Sequence, residues 1–233
     1  MLADYKNIVV MTGAGISRAA GLATYRGPGG LWSDPAKVAL SSIEALEARR
    51  DEVTSMFWGF RAAIQAAEPT AAHRALAAFE KQATGAFTLV TQNVDGLHQR
   101  AGSHNVVEFH GSLQQWRCEI CGRVTEPATP QLPECCGQAL RPDVVLFGEQ
   151  IPVHAEHQVK GALRDCDLFV AIGTSGTVWP AASFVRSAAY AGARTILVNL
   201  EIDDEARDAY RETHAGLADE LVPELFGQAL HAI

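Results

Sequence analysis

The run KNIVVM at positions 6–11 leads directly into Gly13-Ala14-Gly15-Ile16-Ser17. A short β-branched apolar stretch of this kind reads as a strand buried on both faces of a parallel sheet. A glycine-rich turn and a helix start after such a strand make a corner that holds phosphate. The glycines let the backbone come close, and the helix N-terminus offers unpaired N–H groups at its positive dipole end. Gly13-x-Gly15 alone is equally a tight strand-to-helix turn with no ligand, and the third glycine of a dehydrogenase fingerprint is out of register.

The pattern repeats along the chain. Further buried strands are expected at 86–91, 106–109, 167–172 and 195–198, and helices at 41–67, 71–83 and 152–163, with Ser41-Ser42 and Thr70 as N-caps and Pro69 as a break. Strands alternating with helices argue a right-handed, doubly wound parallel sheet. In such sheets the ligand crevice lies beyond the carboxyl ends of the strands. Gln92, Asn93 and Asp95 follow the second strand there, where Asn and Asp also serve simply to cap turns. Gly173-Thr174-Ser175 follows a later strand with small residues that allow a phosphate or ribose to approach. His110-Gly111 ends the strand at 106–109; an imidazole there, left uncrowded by the glycine, titrates where a general base must.

Four of the five cysteines crowd between 118 and 136. Cys118 and Cys121 form a CxxC pair, and Cys135 and Cys136 follow a Pro-rich stretch. This spacing suits one tetrahedral structural Zn²⁺ organising a module too small for its own core, in a reducing compartment. Adjacent cysteines both ligate only on a strained or bulged backbone, so three cysteines plus another ligand, or a site without metal, are the alternatives. Cys166 reads as a core thiol. Hydrophobic residues make up 48% of 233 and charged residues 20%, which fits a globular chain with a sizeable core. The formal charge of −8 argues against a nucleic-acid binder and suits basic, lysine-bearing partners. No uninterrupted apolar stretch is long enough for a membrane span. The first strand leaves no room for a leader, so a cytoplasmic location is expected, and a monomer.

GAGIS, TYRG, TQNVDGLH, EFHGS, the two cysteine pairs, GTS and VNLE occur in this order. The series resembles the sirtuins, NAD-dependent protein-lysine deacylases, from about Lys6 to Leu225. The resemblance implies a Rossmann-like core (1–35, 84–112 and 142–233), with a smaller lobe made of a helical insertion (36–83) and a zinc module (113–141). It implies that NAD is bound by Gly13, Ala14, Gly15, Ser17, Tyr25, Arg26, Gln92, Asn93, Asp95, Gly173, Thr174, Ser175, Asn199, Glu201 and Ala218. Residues 27–32 would form a loop closing over it. His110 is implied as the base that takes a proton from a ribose hydroxyl, and Asn93 helps orient the ribose and a water. Val145, Phe147 and Gly148 would form an edge that pairs with the acyl-lysine peptide. The implied products are free lysine, nicotinamide and O-acyl-ADP-ribose.

Trp58 and Arg61 share a helix face. Their spacing alone suggests a packed Trp beside a solvated Arg. In one sirtuin branch, however, a Tyr and an Arg so spaced bind the carboxylate of succinyl- or malonyl-lysine. An Arg fork matches a carboxylate, and an indole N–H can replace a phenol O–H. Removal of acetyl and of succinyl or malonyl groups is therefore expected. An NAD-dependent ADP-ribosyltransferase and a non-catalytic NAD-sensing module are the alternatives.

Overall fold

The computed structural model describes residues 2–24, 30, 33–128 and 131–227. Six parallel strands form the main sheet: β1 (Asn7–Thr12), β2 (Ala86–Thr91), β3 (Val106–Glu108), β9 (Leu168–Ile172), β10 (Arg194–Asn199) and β11 (Glu212–Ala215). Their order, β11-β10-β9-β1-β2-β3, places β1 at the centre, with Val10 in register with Leu89 on one side and Val170 on the other. The chain builds outward from β1 first through β2 and β3, then on the opposite side through β9 to β11. The doubly wound parallel sheet expected from the sequence is thus the fold found.

Alternation along β1 divides the core. Val9 and Met11 face helices α6 (Val153–Arg164) and α7 (Phe184–Tyr190) through Val159, Leu163 and Phe184. Ile8 and Val10 face α4 (Ala71–Gln82) and α9 (Ala218–Gly227) through Leu76, Phe79, Val222 and Phe226. Helix α4 therefore belongs under the main sheet, although the helical insertion was drawn to residue 83. The rest of that insertion is α1 (Pro35–Ala39), α2 (Ile43–Ala48) and α3 (Arg50–Ala66). The single helix expected over 41–67 breaks at Arg49, whose φ and ψ of −140° and 49° are not helical. Ser42 caps α2 by accepting from the Ala45 N–H. After Gly13 the chain makes a 3-10 turn over Ala14–Ala20 instead of an α-helix. Helix α5 (Leu97–Ala101) follows β2, and α8 (Asp204–Ala209) follows β10.

The smaller lobe holds the antiparallel sheet β5-β4-β8, built from β4 (Gly111–Arg117), β5 (Val124–Thr125) and β8 (Arg141–Val144), and the short hairpin β6 (Glu134–Cys135) and β7 (Gln138–Ala139). The cysteine module borrows its apolar core from the helices beside it. Trp116, Leu140 and Leu146 pack against Leu46, Phe57 and Ile64 of α2 and α3, so insertion and cysteine module share one apolar core. Among the described residues no helix is long and apolar enough to cross a membrane.

His73 completes the α4 cap: Thr70 Oγ1 accepts from the His73 N–H and His73 Nδ1 accepts from the Thr70 N–H. Burial drives its pKa from 6.5 to about 4, with Asp219 opposing and Arg74 adding to the shift. The depressed value means the fold prefers neutral His73. That stabilisation is complete above pH 6.5, where the unfolded chain is neutral too, and is lost as pH falls towards 4. The loss amounts to about 3 kcal/mol across the window. Urea unfolding free energies measured from pH 7 to pH 4 should fall accordingly, and His73→Gln should flatten the slope by about one proton.

Candidate active site

A cleft of about 870 Å³ opens at the carboxyl ends of the parallel strands, between the sheet and the smaller lobe. The winding reverses between β1 and β9, and the loops after these strands touch. Gly13 N donates to Ile172 O at 3.0 Å and Gly15 N to Gly173 O at 2.9 Å. A Cβ on Gly15 would lie 2.6 Å from Gly173 Cα, and one on Gly173 would lie 2.6 Å from Ile16 N. These glycines are thus required by the packing of one loop on the other. Gly111 is likewise fixed by its φ of +79° and by Asp143 O, 2.2 Å from where a Cβ would sit, more than by room left for the imidazole.

Every expected cofactor residue within the described chain lines this cleft: Gly13, Ala14, Gly15, Ser17, Gln92, Asn93, Asp95, Gly173, Thr174, Ser175, Asn199, Glu201 and Ala218. Tyr25 and Arg26, with most of the 27–32 loop, lie outside the described residues. Ser17 Oγ donates to Asp95 Oδ2 at 2.7 Å, and the Leu97 N–H binds Asp95 Oδ1 at 3.0 Å. Burial raises the Asp95 pKa, and these two donors oppose the rise. Asn93 Nδ2 donates to Gly13 O and Ser17 Oγ, both at 3.2 Å, while Asn93 Oδ1 is buried with no partner. An orphaned acceptor on the cleft wall fits a ligand rich in hydroxyl donors, as the riboses of NAD are.

His110 also lines the cleft. Its Nδ1 lies 3.1 Å from Gln92 O. A carbonyl can only accept, so Nδ1 carries the proton and Nε2 keeps a lone pair. Burial lowers its pKa below 6.5, partly offset by the bond to Gln92. The group is thus a neutral imidazole near pH 7, the state a general base needs.

Val145, Phe147 and Gly148 reach the same cleft. The loop is pinned from behind. Phe147 N donates to Ser41 O and Phe147 O accepts from Ile43 N, each at 2.9 Å, and Val145 N donates to His110 O at 2.9 Å. Glu149 Oε2 accepts from the Leu146 N–H at 2.8 Å, and Arg141, fully buried, grips Glu149 with two bonds of 2.6 and 2.8 Å. Burial alone would raise the Glu149 pKa, and these bonds reverse the sign and lower it. The Arg141 guanidinium also contacts Glu119 within the CxxC turn at 3.4 Å.

Trp58 and Arg61 are not among the residues lining the cleft; Phe57, Phe60 and Ile64 of the same helix are. The Arg61 guanidinium is buried, lies 5.1 Å over the Trp58 ring and donates to Pro127 O at 2.7 Å, with Nε unpartnered. Trp58 packs edge-on to Trp116 at 5.0 Å. Arg18, Lys37, Trp179 and Leu217 line the cleft without having been expected there. Arg18 directly follows Ser17 and was within reach of the motif; Trp179 carried no sequence signal.

The Sγ atoms of Cys118, Cys121, Cys135 and Cys136 all lie within 4.8 Å of one another, with Cys121–Cys135 at 3.6 Å and Cys135–Cys136 at 3.8 Å. A tetrahedral zinc with bonds of about 2.3 Å spaces its sulfurs by about 3.8 Å. The strain expected for adjacent ligands is visible: Cys136 has φ +53°, the only positive value outside glycine among the described residues. Four thiols at these spacings fit one zinc ion. Elemental analysis should find one zinc per chain, with Cys135→Ser lowering the content as Cys121→Ser does. Unchanged zinc in Cys135→Ser would mark a three-cysteine site.

Comparison with known proteins places this geometry. The Sir2 family model matches residues 13–180. A Pasteurella multocida protein named NAD-dependent protein deacylase is 41% identical, with 96% of this chain and 97% of that protein covered. A crystal structure of a Sir2 homolog–NAD complex superposes with a TM-score of 0.90 at 34% identity, covering 99% of this chain and 92% of the other. A Sir2–p53 peptide–NAD+ complex gives 0.83 at 26% identity, over 98% and 95% of the two chains. The glycine corner, the histidine beside it and the four-thiol module are those of one family: the chain belongs to the Sir2 family.

Proposed function

We propose that this chain is an NAD-dependent protein-lysine deacylase acting in the cytoplasm. The observation that carries the reading is His110, a neutral imidazole whose free Nε2 belongs to the cleft that holds both the cofactor loops and the 145–148 edge. Bound NAD would supply a C1′–nicotinamide bond open to displacement by the acyl oxygen, and with one water consumed the products would be nicotinamide, free lysine and O-acyl-ADP-ribose. His110 accepts a proton from a ribose hydroxyl at Nε2, and Gln92 O holds the ring in the tautomer this requires. Asn93 offers Oδ1 to a hydroxyl, and the Asp95 side chain is held beside it by Ser17 and Leu97. An extended peptide would run along the 145–148 edge and pair through main-chain groups other than those of Phe147, which already bond Ser41 and Ile43; such pairing tolerates sequence.

On the acyl group, Arg61 supports the carboxylate reading. A buried guanidinium bonded to a single backbone carbonyl is poorly compensated. It sits one helical turn from Phe57 and Ile64, which do line the cleft. A succinyl or malonyl carboxylate would complete its shell, with weaker turnover of acetyl-lysine retained.

Nicotinamide release measured with and without an acylated peptide tests the class. Release that ignores the acyl group would favour ADP-ribosyl transfer, and none at all would favour a sensing module. His110→Tyr should lower deacylation by about a hundredfold or more while NAD binding survives. Arg61→Met should cost about 1.5–3 kcal/mol of transition-state binding on succinyl-lysine and spare acetyl-lysine. Equal losses on both substrates would reduce Arg61 to a tie between α3 and the cysteine module.

A further inference from the structure

Beneath the cofactor corner two buried histidines meet, and neither touches the cleft. His73 of α4 and His98 of α5 have ring centroids 4.6 Å apart, and His73 Nε2 and His98 Nδ1 are buried without partners. At His73, Nδ1 lies 2.8 Å from Thr70 Oγ1 and 3.3 Å from the Thr70 N–H, so Thr70 holds this ring by its Nδ1 edge in either tautomer. At the other ring, Thr12 Oγ1 lies 2.9 Å from His98 Nε2 and donates to Thr91 Oγ1 at 3.0 Å. With its one proton used, Thr12 accepts from His98, whose proton is therefore on Nε2.

The chain continues upward. Thr91 Oγ1 accepts from the Asn93 N–H at 3.1 Å, and Thr70 Oγ1 contacts Ile16 O at 3.2 Å. Thr12 is the last residue of β1 and Thr91 the last of β2, so their side chains bolt together the strand ends that carry the two cofactor loops. We infer that His73 and His98 are positioning residues: His98 holds Thr12 and His73 holds Thr70, and through these two threonines they keep the Gly13–Ser17 and Gln92–Asp95 loops in register from below.

Two measurements on the full chain test this. Nitrogen-15 spectra of labelled histidine at pH 7 should show both rings neutral, with the His98 proton on Nε2; a proton on His98 Nδ1 would overturn the inference. Calorimetric NAD affinity should fall about tenfold in His98→Leu, the loss of one buried bond, and stay within about twofold in His98→Gln, whose amide can still donate to Thr12. A pure packing role predicts the opposite order, Leu at least as good as Gln. If His98→Leu does not fold, Thr12→Val removes the same link and should show the same tenfold loss; full affinity there overturns the inference. The reading rests on the cleft being the NAD site, and it is separable from deacylation. If NAD binds but no acyl-lysine turns over, the Leu-against-Gln order still decides the pair.

Discussion

Two loops that meet backbone to backbone determine where everything else in this molecule can go. The amides of Gly13 and Gly15 donate to Ile172 and Gly173, and neither Gly15 nor Gly173 has space for a methyl group. Because the clashing atoms are main chain, no rotamer change could relieve them. The contact closes the floor between β1 and β9 where the winding reverses, and the cleft stands on that floor. The residues expected to hold the cofactor converge here from five strand ends because a parallel sheet points all its carboxyl ends one way.

The main sheet and its ligand crevice were legible because their signals are local. Buried parallel strands read as β-branched runs, and the residues just past them are named by position alone. The parts that stayed illegible depend on tertiary contacts. Strand β11, Glu-Thr-His-Ala, has no apolar run and becomes a strand only by pairing with β10. Helix α9 carries Pro223 inside it and owes its place to Val222 and Phe226 buried under the sheet. The break at Arg49 has neither proline nor glycine to announce it. The glycines of the corner were found for a reason that was incomplete, since their first constraint is each other.

The smaller lobe shows how thin a line separates structure from specificity. Trp58, Trp116, Arg61 and Pro127 form one contact chain from α3 to the cysteine module. The same helix gives Phe57, Phe60 and Ile64 to the cleft wall. That face is at once part of the core and a wall of the cleft. Arg141 adds a second tie, from Glu119 in the CxxC turn to Glu149 behind the 145–148 edge. With no exposed surface of its own it is a buried charge kept by its partners, costly to break and silent at the surface.

The left-handed backbone at Cys136 has a thermodynamic meaning of its own. A residue with a Cβ in that region is strained by roughly 1–2 kcal/mol. The folded chain carries that strain whether or not an ion is captured, so it is charged to the stability of the cysteine hairpin and not to the affinity of the site. Setting two ligands side by side in the sequence thus draws on the apolar core that the hairpin shares with the helices, and the dial is a single φ angle.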